Sequence, residues 1–309
     1  MIMSDILASP NESDIVASAI SPSRKLVREF CRSKLAVSGL VLLALICLAA
    51  IFAPLISPQN PYDLMQLDIM DGQQPPGTVS LSQGFTFLLG TDDQGRDMFS
   101  GILYGLRISL GVGIASAVAA ALIGATLGMI AAYAGGRTEA MIMRAVDLQL
   151  SFPAILVALM ILAFLGKGVT NVVLALVLVE WATFARAARG SALVESRKEY
   201  IEAAECMGLP LRRVLMRHLL PNCLPPLIVI ATIQIARAIS LEATLSFLGV
   251  GVPITEPSLG LLIANGYQYM LAGYYWMSIF PGIALLITIV AINLVGDQLR
   301  EILNPRNRT

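Results

Sequence analysis

The sequence predicts an all-α polytopic membrane protein with about six transmembrane helices. The 309 residues are 56% hydrophobic and only 14% charged, with a mean hydropathy of +0.75, far more apolar than a soluble domain. Several charge-free runs reach the roughly 20 residues that a helix needs to cross the hydrocarbon. The 21 basic and 21 acidic residues cancel overall but are segregated along the chain, as loops on opposite sides of a membrane require.

Residues 1–34 read as a cytoplasmic tail. Asp5, Glu12 and Asp14 interrupt any signal-peptide core, and Arg24, Lys25, Arg28, Arg32 and Lys34 form a basic juxtamembrane stretch. Residues 35–57 hold the first span, free of charge from Leu35 to Ile56 and ending near Pro54 and Pro58. Residues 58–105, polar and punctuated by Pro61, Pro75 and Pro76, form a periplasmic segment. Residues 106–299 contain the other five spans, and 300–309 a second cytoplasmic tail.

Within that core the second span is Ile108–Gly136. Its Ala120, Gly124, Gly128 and Ala132 fall at four-residue spacing, a ridge that lets membrane helices approach closely. Gly135-Gly136-Arg137 marks a turn, and a third span, Ala140–Leu165, is expected to kink at Pro153. The fourth covers Val169–Ala188, the fifth Pro225–Leu248 and the sixth Trp276–Val295. Gly249–Tyr275 between the last two reads as an external re-entry or a short interfacial helix. With both termini inside, the external side keeps only Arg96 and Lys167 of the basic residues outside spans, together with an acidic loop containing Asp63, Asp68, Asp71, Asp92, Asp93 and Asp97.

The polar island Glu199–Asn222 interrupts the apolar pattern. Good helix formers run from Glu199 to Met207. Gly208 then stands where a helix end favours a left-handed residue, and Pro210 suits the first turn of a second helix, Leu211–Leu219. Ala203, Ala204 and Gly208 leave one side nearly bare. Two short helices at an angle make a plug that fits a partner's groove.

Glu202-Ala203-Ala204, Gly208 and Leu220-Pro221 have the spacing that resembles the EAA loop of ABC-importer permeases, with His218 where Ile is usual. Leu89–Asp97 with Leu103–Leu110 is similar to the entry to the permease core of the dipeptide/oligopeptide (and nickel) branch, although Gly101 replaces a common Arg. Leu241–Gly251, Phe280-Pro281-Gly282 and Asn293–Asp297 resemble the same branch, although Pro253-Ile254 and Leu259 stand where a Pro pair and a Trp are frequent. The resemblance implies a C-type permease with a core of five helices plus one N-terminal helix, in a bacterial inner membrane. Residues 190–221 would form its coupling loop.

It further implies a second related permease, two ATPase subunits that bind ATP and Mg, an external solute-binding protein, surrounding lipid, and no nucleic acid. Glu202, Ala203, Ala204, Gly208, Arg212, Arg213 and Arg217 would meet the ATPase, and Asp92, Asp93, Arg96 and Asp97 the binding protein. The solute would be a di- or oligopeptide, with nickel chelates, opines or glutathione as alternatives.

Ionisable residues in spans are functional suspects. Glu180, Arg237 and Glu242 either face a polar pathway or partner, or make structural contacts in the bundle, and Asp147 and Arg186 lie nearer the cytoplasmic ends. Arg237 and Glu242, five apart, point to different sides of one helix. No P-loop or H-E-x-x-H pattern occurs, and His218 is the single histidine, so the chain is expected to be no enzyme, to hold no metal or cofactor, and to borrow its energy. Cys31, Cys47, Cys206 and Cys223 fall outside the external loops and imply no disulfide framework. Two rival classes are an ATP-independent secondary transporter or channel, which would show inverted repeats with paired broken helices, and an intramembrane hydrolase, for which Gly190-Ser191 has no His partner in the spans.

Overall fold

The computed structural model describes residues 22–303 other than 64, 66, 82, 83, 211 and 212. Arg212, one of the residues assigned to the plug, therefore lies outside the described residues. Helix α1 (Pro22–Arg32) leads into α2 (Lys34–Ile51). Between them Ser33 caps α2, its hydroxyl oxygen accepting the Ala36 N–H at 3.3 Å. A one-turn helix, α3 (Ala53–Ile56), ends this first segment.

The remaining helices are α4 (Met98–Ala134), α5 (Gly136–Ser151), α6 (Ala154–Leu165), α7 (Val169–Glu195), α8 (Glu199–Cys206), α9 (Leu220–Phe247), α10 (Leu259–Tyr267) and α11 (Trp276–Leu303). Among the described residues five helical stretches are long and apolar enough to cross a membrane, and α5 with α6 makes a sixth if that bent pair is one span.

Among the spans, the second and third differ from the sequence expectation. Helix α4 starts at Met98, ten residues before the charge-free run, because Asp97 caps it and its first three turns are buried against the rest of the fold. The third span is broken, not merely kinked: α5 and α6 meet at 94°. Phe152 is extended, with φ −96° and ψ 143°, and Pro153 has ψ 125°. A proline drives its predecessor out of the helical region, and two successive non-helical residues turn the chain where one would only bend it.

The bundle is built on α4 against α7. A Cβ on Gly124 would lie 2.3 Å from the Trp181 carbonyl oxygen and 2.6 Å from the Phe184 Cβ, and one on Gly128 2.3 Å from the Ala185 carbonyl oxygen. The expected ridge is thus a backbone-to-backbone seam, which gains dispersion and loses little side-chain entropy. Helix α9 crosses this pair, α11 packs on α9 and α2, and α10 folds back so that Leu259–Leu262 are buried between α4, α9 and α11.

The loop before α4 is a small folded cap. Strands β1 (Thr78–Val79) and β2 (Thr86–Phe87) pair antiparallel. The Asp71 carboxylate accepts from the Ser80 hydroxyl (2.7 Å) and the Leu81 N–H (2.9 Å). Asp92 accepts from the backbone N–H groups of Gln94 and Arg96, both at 2.8 Å. Asp97 accepts from the Ser100 N–H (2.8 Å) and hydroxyl (2.6 Å). The Trp276 indole N–H reaches the Thr91 carbonyl at 3.1 Å and fastens the cap to α11. Arg96, set among the acids of this loop, makes no ion pair within 4.0 Å among the described residues. Arg96 is buried and gives Asp92 its backbone N–H, while its Nε has no hydrogen-bond partner.

The seam sets the first expected outcome. Gly124→Val drives a branched side chain into the α7 backbone and should cost about 3 kcal/mol, seen as a lower unfolding midpoint of the purified protein in detergent. Gly111→Ala, where a Cβ meets nothing within 4 Å, should be neutral or slightly stabilising. Burial raises the Asp92 carboxyl from its ordinary 3.8 to about 6. Between those values the folded cap binds a proton that the unfolded chain releases. Its contribution is complete below 3.8 and is lost as pH rises through 6, about 3 kcal/mol in all. Protection factors of amides 90–97 should fall from pH 4 to pH 7, and Asp92→Asn should remove most of that slope.

Candidate functional site

Helix α8 sits at the end of the bundle where α7 finishes and α9 begins. Met207 donates its N–H to the Ala203 carbonyl (3.0 Å) and Leu209 to that of Ala204 (3.2 Å), and Gly208 turns the chain at φ +67°. The Pro210 carbonyl then accepts from Arg213 (2.8 Å) and Val214 (3.2 Å), starting the next turn. The separate second helix Leu211–Leu219 is not found among the described residues. Val214–Leu219 is a π-helical stretch that runs without a break into α9, and the Leu220 N–H bonds the Leu215 carbonyl. Wide turns of this kind are frequent at functional sites.

The two faces of α8 differ sharply. Ile201 and Ala204 are each 1% exposed and pack with Val214, Leu219 and Cys223 in one cluster with Met129, Phe184, Ala188 and Ala192. Glu202, Ala203, Cys206, Met207 and Gly208 are exposed, as are Arg213 and Arg217. A Cβ on Gly208 would meet nothing within 4 Å. The bare surface read from the sequence is therefore split: Ala203 and Gly208 face outward, and Ala204 anchors the helix inward.

Polar contacts at this end were not anticipated. The Glu195 carboxylate accepts from Lys198 Nζ at 2.8–2.9 Å and from the Tyr200 hydroxyl at 2.5 Å. Asn222 Nδ2 donates to the Tyr200 oxygen (3.1 Å) and to the His218 carbonyl (2.7 Å). Burial and the neighbouring Glu195 carboxylate push the Tyr200 phenol above its usual value. Arg189 pairs with Glu139, and Arg186 with Asp147 at 2.5 Å, joining α7 to α5. Only the three-residue spacing of Glu195 and Lys198 was a readable signal, because the other partners meet through tertiary folding.

The intramembrane candidates do not form one site. Glu242 is fully buried and accepts from the Ser109 and Ser246 hydroxyls, each at 2.8 Å, joining α4 to α9. Arg237 is exposed on the other side of α9. Glu180 is 1% exposed, its two carboxylate oxygens have no hydrogen-bond partner, and Arg237 is the cation that acts on it electrostatically. In the cap, Asp92 (5% exposed), Arg96 (6%) and Asp97 (1%) are internal. Asp93 is partly exposed and accepts a long contact, 3.4 Å, from the Tyr269 hydroxyl. Of those four residues three are thus buried in the chain, and Asp93 is the accessible one. Among the described residues no group of three or more His, Cys, Asp or Glu is disposed to hold a metal ion.

Comparison with known proteins gives the frame for this geometry. Residues 124–309 match the family model described as binding-protein-dependent transport system inner membrane component. Residues 21–76 match that of the N-terminal TM domain of oligopeptide transport permease C. The di/tripeptide transport system permease protein DppC of Pseudomonas aeruginosa is 35% identical over 93% of both chains. The oligopeptide transport system permease protein OppC of Bacillus subtilis is 37% identical over 90% of this chain and 88% of that one. Inward-facing structures of the MetNI methionine ABC transporter align with TM-scores of 0.54 and 0.55 at 22% identity. They cover 65% and 66% of this chain and 96% and 97% of the matched chains, a likeness of fold. The chain is a polytopic bacterial inner-membrane protein and belongs to the family of binding-protein-dependent transport system permeases, the membrane subunits of ABC importers.

Proposed function

We propose that the chain is the C-type permease of a di- or oligopeptide importer and that α8 is the element through which ATPase subunits drive it. The observation that carries this reading is the two-faced α8: its outer surface is exposed and nearly bare at Ala203 and Gly208, while its inner surface is fixed in the bundle core. Glu202 would anchor the ATPase groove. Arg213 and Arg217, with Arg212 beyond the described residues, would meet the ATPase or anionic headgroups. Relatives named for dipeptides and oligopeptides favour peptides over nickel chelates, opines or glutathione.

In this reading residues 1–34 and 300–309 are cytoplasmic, 58–105 periplasmic and 106–299 the core, in accord with the basic residues around α5, α8 and the end of α7. The energy comes from ATP and Mg bound on two partner ATPase subunits, and a second, related permease completes the pathway. The cap with α10 receives the solute-binding protein, with Asp93 as its accessible acid. ATP binding draws the ATPases together, α8 is carried with them, and α7 and α9 rock between inward and outward opening. Coupling of this kind requires each nucleotide state to contact the two conformations differently. Arg237, a cation exposed within a span, faces the polar pathway or the second permease, because lipid would not accommodate it. Glu180 lies behind it.

Gly208→Asp should leave the subunit folded, since the added side chain has open space and Asp tolerates the φ of +67° at a cost of about 1 kcal/mol, yet cut uptake about tenfold or more by charging the docking surface. ATP-driven uptake in proteoliposomes measures this, and unchanged uptake would reject the plug. Ala203→Cys should crosslink to a cysteine placed in the ATPase groove. Arg237→Leu should lower peptide uptake about tenfold while the complex still assembles, read as initial rates against complex recovered by affinity purification.

A further inference from the structure

The joint between α8 and α9 is poor in the hydrogen bonds that make a helix stiff. Val214–Leu219 is π-helical, and Pro221, Pro225 and Pro226 follow within the first turns of α9. Each proline lacks an N–H and leaves a carbonyl of the preceding turn without its ordinary partner. A push on α8 transmitted only through this backbone would bend the joint instead of moving α9.

Side chains bridge the weak segment. The Tyr200 hydroxyl on α8 donates to Glu195 at the end of α7 and accepts from Asn222 in the first turn of α9, beyond the π stretch. Asn222 also holds the His218 carbonyl inside that stretch. Lys198 holds the Glu195 carboxylate in place through both of its oxygens. One phenol oxygen therefore ties together the plug helix, the end of α7 and the start of α9, above the apolar contacts of Ile201 and Ala204 with Val214, Leu219 and Cys223.

We infer that Tyr200, with Glu195 and Asn222, is a positioning latch that makes α7 and α9 follow α8 as one body, so that nucleotide-driven displacement becomes gate movement and is not absorbed at the π–proline joint. The inference rests on the reading of α8 as the plug. A hydrogen bond to a charged acceptor is stronger than a neutral one, so the Glu195 arm is the firmer of the two and Asn222 directs it toward α9.

The test uses the full complex with its partner permease, ATPases and solute-binding protein in proteoliposomes, and measures peptide taken up per ATP hydrolysed. Tyr200→Phe keeps the ring and removes the hydroxyl, and it should lower that ratio about tenfold, the effect of roughly 1.4 kcal/mol of lost coupling. Asn222→Ala, which removes only the α9 arm, should lower it in the same direction and serves as the second variant if Tyr200→Phe does not assemble. A wild-type ratio in either assembled variant overturns the latch. If the ratio is unchanged while Ala203→Cys still crosslinks to the ATPase, the latch fails and the plug stands. If the crosslink is absent, the plug reading itself fails.

Discussion

The fold depends on how closely α4 and α7 approach. With glycine at 124 and 128 the two backbones touch, and Phe184, Ala185 and Ala188 fill the space that side chains would otherwise occupy. In a bilayer apolar side chains gain little by leaving lipid, so contact of this quality has to supply the association energy. The seam continues into the cluster that seats α8, because Phe184, Ala188 and Ala192 of α7 and Met129 of α4 belong to the same buried cluster as Ile201 and Ala204 of α8 and Cys223 of α9. Helix packing and seating of α8 are thus one physical arrangement.

Polar residues divide into those that hold this arrangement and those that face outward from it. Glu242 has both carboxylate oxygens satisfied inside the chain by Ser109 and Ser246, which is what makes a buried carboxylate tolerable, whereas Asp97 has Oδ2 satisfied by Ser100 and Oδ1 without a partner. Glu139 with Arg189, and Asp147 with Arg186, connect α5 to α7 before the chain turns sharply at Phe152-Pro153. Glu180 breaks the pattern, since its burial has no matching donor in this conformation.

Much of this was legible in the sequence, for identifiable reasons. Charge-free runs and the Gly/Ala ridge report on local periodicity, which lipid enforces, so six candidate spans and the helix seam could be read directly. Gly208 could be read because a left-handed turn selects glycine, and it adopts φ +67°. The 94° break at Phe152-Pro153 was underestimated because a proline in an apolar run signals a bend without giving its size. The π stretch was missed because its residue pattern resembles ordinary helix. The burial of Asp92, Arg96 and Asp97 could not be read, since charge in a loop says nothing of whether the loop folds back on itself. Tyr200, Glu195 and Asn222 meet only once α7, α8 and α9 are assembled, so sequence spacing could not reveal them.

Arg237 carries a consequence for how such a protein must be made. Its guanidinium is on the outside of an isolated copy, within a helix otherwise suited to hydrocarbon. Held there by itself, the charge costs about 3 kcal/mol even after local bilayer adjustment, a large share of the 5–15 kcal/mol that keeps a typical protein folded. A subunit released without a companion to shield that face would be a poor resident of the bilayer. Where the proposed second permease supplies that cover, balanced synthesis of the two subunits follows from one cation's hydration.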